Sequence, residues 1–152
     1  MITSVFFSNE RIQVVLGEAS AKKIKISEYY SAPISEGIIL NGVITNDYAL
    51  KRQLSELFSK YKIPKSRIHV VIDSNSILTK SISVPMTTPE NIHKIVAGEF
   101  VDVENYDDML FDYFVLCPRL ETGGASVLGC ATEKSFIASY TEIFESIKGA
   151  KI

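Results

Sequence analysis

No stretch of this sequence stays apolar for long. Its longest charge-free segments, Gly37–Asn46 and Thr122–Thr132, are about half of what a helix needs to cross a bilayer, so a membrane-spanning helix is not expected. Basic clusters are missing as well. The 16 Lys and Arg are scattered among 18 Asp and Glu, for a net charge of −2. Nucleic-acid affinity comes mainly from clustered cations, so a phosphate-backbone binder is not expected either. Only 2 cysteines occur, Cys117 and Cys130, without CxxC spacing; this excludes a disulfide framework and a cysteine-based metal site. The opening residues, MITSVFFSNE, show no basic segment, apolar run and small-residue cleavage site of a secretory leader. A cytoplasmic protein is the expectation. What the chain does have is a globular balance, 46% apolar and 22% charged over 152 residues, with enough length to bury about two-thirds of its unfolded surface. No internal repeat or low-complexity segment interrupts it.

Period-2 alternation predicts strands at Ser4–Phe7, Arg11–Leu16 and Lys22–Tyr30, joined by the polar turns Ser8-Asn9-Glu10 and Gly17–Ser20. Three short strands with tight turns make an antiparallel meander. Gly37–Ile44 is apolar and glycine-flanked, without helical period. Thr45 or Asn46 then offers a capping oxygen for a helix whose apolar face is Leu50, Leu54, Leu57, Phe58 and Tyr61. Pro64 ends it, and Ile68–Ile72 reads as a fourth strand. After the turn Asp73–Ser76 come a strand at Ile77–Val84 and a helix opened by Thr88-Pro89. Ile92, Ile95, Val96, Phe100 and Val103 extend that helix to Val103, with Ile95 in the core facing the strands. Strands at Met109–Leu116 and Ser126–Thr132 flank the loop Pro118–Ala125. The first of this pair joins Ile77–Val84 and the second in one antiparallel sheet. Thr132 caps a last helix with Phe136, Ile137, Tyr140, Ile143, Phe144 and Ile147 on its apolar face. The order βββαβ, βαββ, α gives an α+β protein in two sub-assemblies that pivot near Asp73–Ser76.

Individual chemical groups are modest. Asp102, Glu104, Asp107, Asp108 and Asp112 are the densest carboxylates; carboxylates can hold divalent metal, but in a loop they read as solvated charge. His69 and His93 lie on different elements without ligand spacing. The register of the hairpin sets Cys117 and Cys130 about three residues apart, which predicts buried free thiols. Gly123-Gly124 lacks the strand–loop–helix order and the Lys-Ser/Thr of a phosphate loop, so it reads as a hairpin turn. Asp73–Ser76 reads as the inter-lobe turn rather than a nucleophile turn. Glu99, at the edge of a helical apolar stripe, is either a surface acid or an acceptor for a basic partner.

Three strands, a crossing helix and a fourth strand resemble the opening of a lobe in the actin and ribonuclease-H-like ATPases. A strand-helix-strand-strand insert straight after that opening resembles the subdomain of FtsA and of the PilM family, actin-like proteins of type IV pilus assembly. The local sequence is closer to PilM. Ser31-Ala32-Pro33 followed by Gly37–Ile44 is similar to that family's Pro-then-Gly segment with its (D/N)-G pair. Val70-Val71-Ile72 through Leu78-Thr79-Lys80 to Val84-Pro85 is similar to its next stretch. Glu99, Phe111-Asp112-Tyr113 and the closing Ile147–Ile152 fit as well. Two features depart from the family. Its first hairpin carries an acidic-Gly-Ser/Thr phosphate loop, where bare N–H groups approach phosphates closely. Here the hairpin reads Ser8-Asn9-Glu10. The second lobe that closes the nucleotide site in actin-like ATPases is also not in this chain.

The resemblance implies an actin-like first lobe at 1–74, an inserted SHS2-like subdomain (βαββ) at 75–132, and a helix at 133–152 returning to the first lobe. It implies a non-enzymatic scaffold of type IV pilus assembly, held at the inner face of the membrane through partners. That scaffold would grip the short cytoplasmic tail of a PilN-like inner-membrane protein, with self-association as a further contact. The tail would lie as an extended peptide in a groove between lobe and insert, at Ile39, Asn41, Val43, Pro85, Met86 and Glu99. No catalytic, cofactor or metal residue is assigned, and ATP binding is not expected of this chain alone. The alternatives are an FtsA-type cell-division protein and the first lobe of a sugar-kinase-like phosphotransferase. A ribonuclease-H-like nuclease needs carboxylates converging on two metals, which the first three strands do not offer.

Overall fold

The computed structural model describes residues 1–121 and 123–152; the loop expected at Pro118–Ala125 contains Thr122, which lies outside the described residues. The chain divides into two compact units, one of residues 1–75 and 138–152, the other of residues 76–137. The class is α+β, with three α-helices and a sheet of mixed direction.

In the first unit, β1 (Ile2–Phe7), β2 (Arg11–Ser20) and β3 (Lys23–Pro33) form the expected meander, and β6 (Ile68–Ile72) joins β1 in parallel. The sheet order is β3-β2-β1-β6, so β3 and β6 are its edges. β3 runs three residues past the expected end at Tyr30, to Pro33. A bulge shifts its register between Leu16 and Gly17. One face of the sheet presents Val5, Phe7, Ile12, Val14 and Leu16, all buried. Onto this core fold α1 (Asp47–Lys60), through Leu50, Leu54, Leu57 and Phe58, and the C-terminal part of α3 (Lys134–Glu145). Phe7 meets Tyr140 and Phe144 at ring distances of 5.3 and 6.0 Å. Asn46 caps α1, its side chain accepting from the Ala49 N–H, and Asp47 in the first turn suits the helix dipole.

Gly37–Ile44, expected only as an apolar segment, contains a two-stranded ribbon of β4 (Ile39–Leu40) and β5 (Val43–Ile44). Asn41 and Gly42 between them have φ of 50° and 80°, the backbone of a type I′ hairpin turn, which favours Asn-Gly because both central residues must be left-handed.

In the second unit, β7 (Leu78–Val84), β8 (Met109–Cys117) and β9 (Ala125–Glu133) form one antiparallel sheet in the order β7-β9-β8, as expected. α2 (Pro89–Gly98) crosses it, capped by Thr88. Its core is Ile82, Val84, Val96, Phe100, Met109, Val127 and Ala131. Three expectations are corrected here. α2 stops at Gly98 instead of Val103, and Phe100 and Val103 reach the core region from the turn beyond it. Ile95 is half-buried, while its neighbour Val96 is fully buried and sits at the centre. Thr132 does not cap the last helix: it lies in β9, and its hydroxyl donates to the Ser76 carbonyl at 3.0 Å.

Candidate functional site

The parallel strands β1 and β6 end side by side, and ligands of open sheets bind beyond the carboxyl ends of such strands. The turns that follow them, with the tip of the β4–β5 ribbon, line a polar pocket of about 310 Å³ formed by Ser8, Asn9, Glu10, Asn41, Asp73, Ser74 and Asn75. Ser8 determines what the first turn can offer. Its backbone N–H donates to the Arg11 carbonyl at 3.1 Å, and its Oγ accepts from the N–H groups of Glu10 and Arg11 at 3.4 and 3.2 Å. Two N–H groups that an anion would need are therefore bonded within the turn. Glu10 and Asp73 add negative charge, and no lining residue is basic. Such a pocket disfavours phosphate and suits neutral or cationic groups.

The ribbon tip is clamped from two sides. Ser74 Oγ donates to the Asn41 carbonyl at 2.7 Å, and the Tyr140 hydroxyl donates to the Gly42 carbonyl at 2.6 Å. Burial pushes the Tyr140 phenol up to about 12. A Cβ at Gly42 would stand 2.5 Å from Ser74 Cβ and 2.6 Å from the Asp73 carbonyl. Asn41-Gly42 is a readable hairpin signal between apolar residues; the roles of Ser74 and Tyr140 carry no local signal.

The six residues expected to face a partner separate into distinct settings. Ile39 is 1% exposed; its side chain belongs to the core of the first unit and not to a surface. Asn41 and Val43 are exposed on the ribbon, Val43 at 43%. Pro85 and Met86 follow β7 in the second unit, with Met86 71% exposed. Glu99 caps the far end of the ten-residue α2, which at 1.5 Å per residue is about 15 Å long, so Met86 and Glu99 stand at opposite ends of one helix. The carboxylate of Glu99 already has a basic partner, Lys80 Nζ at 2.5 Å; a pair this exposed contributes about 0–1 kcal/mol.

The remaining groups are structural. Asp102, Glu104, Asp107, Asp108 and Asp112 are exposed, and among the described residues no three His, Cys, Asp or Glu are placed to hold a metal. His93 Nε2 contacts the Phe111 carbonyl at 2.9 Å. Cys117 and Cys130 are free and only half-buried. They lie opposite Ser126 and Asp112 in the ladder, and burial, then the Asp112 charge, raises the Cys130 thiol above its ordinary value. Gly123 and Gly124 form a turn in which the Gly123 N–H donates to the Leu120 carbonyl.

No protein-family model matches the sequence, and no curated protein matches it. Among solved structures, the chain is similar to one in the PilM-PilN type IV pilus biogenesis complex, with 14% identity and a TM-score of 0.82 over 98% of this chain and 45% of that one. The fold is PilM-like. It is also similar to the cytoplasmic domain of EpsL, an inner-membrane component of the type II secretion system of Vibrio cholerae, with 12% identity and a TM-score of 0.55 over 96% of this chain and 52% of that one. The chain thus spans about half the length of the solved chains it matches. At these identities the likeness concerns the fold. No helix among the described residues is long and apolar enough to cross a membrane.

Proposed function

We propose that this chain is a non-enzymatic interaction module of a type IV pilus or related secretion assembly, working at the cytoplasmic face of the inner membrane and binding the short tail of a PilN-like membrane protein. The observation that carries this reading is the PilM-like fold over nearly the whole chain, shared with a protein solved in complex with PilN. The pocket chemistry supports a binding rather than a phosphotransfer role, because the turn after β1 spends its N–H groups on Ser8 and places Glu10 where phosphate would sit. On the first unit, the exposed Val43 beside Asn41 is the contact proposed for the tail. An extended peptide needs an apolar anchor of this kind together with backbone bonding. The test is a fluorescence-anisotropy titration with a labelled peptide of a PilN-like N-terminal tail. Wild type should saturate, and Val43→Asp should weaken binding at least about tenfold, the order of one lost apolar anchor. Absence of saturable binding by wild type overturns the tail reading; equal binding by the variant overturns the Val43 contact.

A further inference from the structure

The sheet of the first unit ends in a strand whose outer backbone groups are open, and a pocket lies directly alongside. At the start of β2 the Ser8 N–H donates to the Arg11 carbonyl on the β1 side, and the Ile34 N–H donates to the Glu10 carbonyl on the β3 side. Backbone groups alternate between the two sides of an antiparallel strand. The residues of β2 that bond β3 are therefore Ile12, Val14 and Leu16, opposite Ala32, Tyr30 and Glu28. The intervening Tyr29 and Ser31 turn their N–H and C=O groups away from the sheet, onto its free edge. Among the described residues neither makes a backbone bond outside the sheet.

Beside that edge, Ser31, Ala32 and Pro33 face Gln53, Leu57 and Tyr61 of α1 across a mainly apolar pocket of about 300 Å³. This is the lower end of the range for small-molecule sites, and it suits an inserted side chain better than a cofactor. Gln53 adds a third feature. Its Nε2 donates to Ser35 Oγ at 3.2 Å, while its Oε1 is buried with no partner. A buried acceptor left unbonded in a native protein calls for a donor.

We infer that the β3 edge is a docking site for an extended segment of a partner protein, which pairs with Tyr29 and Ser31, inserts one aliphatic side chain between Ala32 and Leu57, and supplies a hydrogen-bond donor to Gln53 Oε1. A second copy of this chain does not provide that segment. The β3 residues on the α1-facing side are Glu28, Tyr30 and Ala32, and Tyr30 is already stacked on Tyr61 at 4.3 Å; none is aliphatic and long. This inference goes beyond the tail-binding reading and does not depend on it.

The experiment pans a phage-displayed library of short linear peptides against the 152-residue chain. Selected peptides should carry Leu, Ile or Val within an extended pattern. Synthetic versions N-methylated at alternate amides should lose binding in one phase and keep it in the other. Ser31→Pro removes an outward N–H without taking a bond from the ladder, and should weaken the peptides by about tenfold or more. Gln53→Leu should weaken them several-fold while raising the melting temperature of the free protein, since the orphaned acceptor is gone. If Ser31→Pro does not fold, the N-methylated peptides on wild type decide the question. Failure to enrich any peptide overturns the inference, as does unchanged affinity for both variants, or indifference to the phase of N-methylation. Concentration-dependent self-association that protects the Tyr29 and Ser31 amides from exchange also overturns it, by placing a second copy there. The PilN-like tail is titrated in parallel, with Val43→Asp as its own control, so that failure of one reading leaves the other standing.

Discussion

Tyr140, 2% exposed on α3, reaches the Gly42 carbonyl across 98 positions of sequence. Its phenol titrates at 10.0 in the unfolded chain and at about 12 when folded. Below about pH 10 both states keep the proton and the contribution is whole. Between about 10 and 12 only the unfolded chain releases it, so stability falls, by about 2–3 kcal/mol in all. Tyr140→Phe should lack this alkaline loss. At neutral pH it should already be less stable by about 1–3 kcal/mol, because the Gly42 carbonyl loses its donor. Urea unfolding of both proteins at neutral pH and near pH 11 measures both effects. The sequence showed Tyr140 only as one member of an apolar helical face. Its hydroxyl acts through a tertiary partner, and periodicity reports burial without reporting what a polar tip finds there.

The elements differ in how openly their boundaries were written. Alternation along β1, β2 and the three strands of the second unit placed them within a few residues, because each has one buried face. The second helix was drawn too long for a related reason. Phe100 and Val103 keep the helical spacing of apolar residues and pack in the same core region. Past Gly98, however, the backbone closes with shorter bonds, Phe100 N–H to the Ala97 carbonyl and Val103 N–H to the Phe100 carbonyl. The pattern tracked the core and not the helix. Within α2, Val96→Ala should cost about 2 kcal/mol and Ile95→Ala clearly less, since only Val96 is fully enclosed; chemical denaturation of the two variants orders them. The β4–β5 ribbon was missed because two-residue strands leave almost no alternation to read, although Asn41-Gly42 marks its turn. Gly42→Ala joins a left-handed φ of 80° to a contact of 2.5 Å with Ser74. It should therefore lower stability by about 1–3 kcal/mol and loosen the Ser74 amide, visible as faster hydrogen exchange.

For the molecule as a whole, the α+β class and the PilM-like fold were legible from strand order and loose motifs. The partner surface was legible only in part: exposure separated Val43 from the buried Ile39, a distinction that alternate residues of a short apolar run do not announce. The β3 edge left no trace in the sequence, since an open backbone has no residue signature. Calorimetry with ATP and magnesium should show no binding tighter than the millimolar range, about −4 kcal/mol; micromolar affinity would mean that the turn after β1 rearranges to free its N–H groups.

The first unit is discontinuous, made of residues 1–75 and 138–152, whereas the second is one continuous run, 76–137. Lys151 is part of the first unit's backbone: its N–H donates to the Lys65 carbonyl and its carbonyl accepts from the Ile68 N–H. During synthesis the chain grows from the N-terminus and domains fold as units. The unit that begins second is therefore the first to have all its residues, and the unit that begins first must wait, with the apolar face of its sheet partly uncovered, until nearly the last residue has left the ribosome.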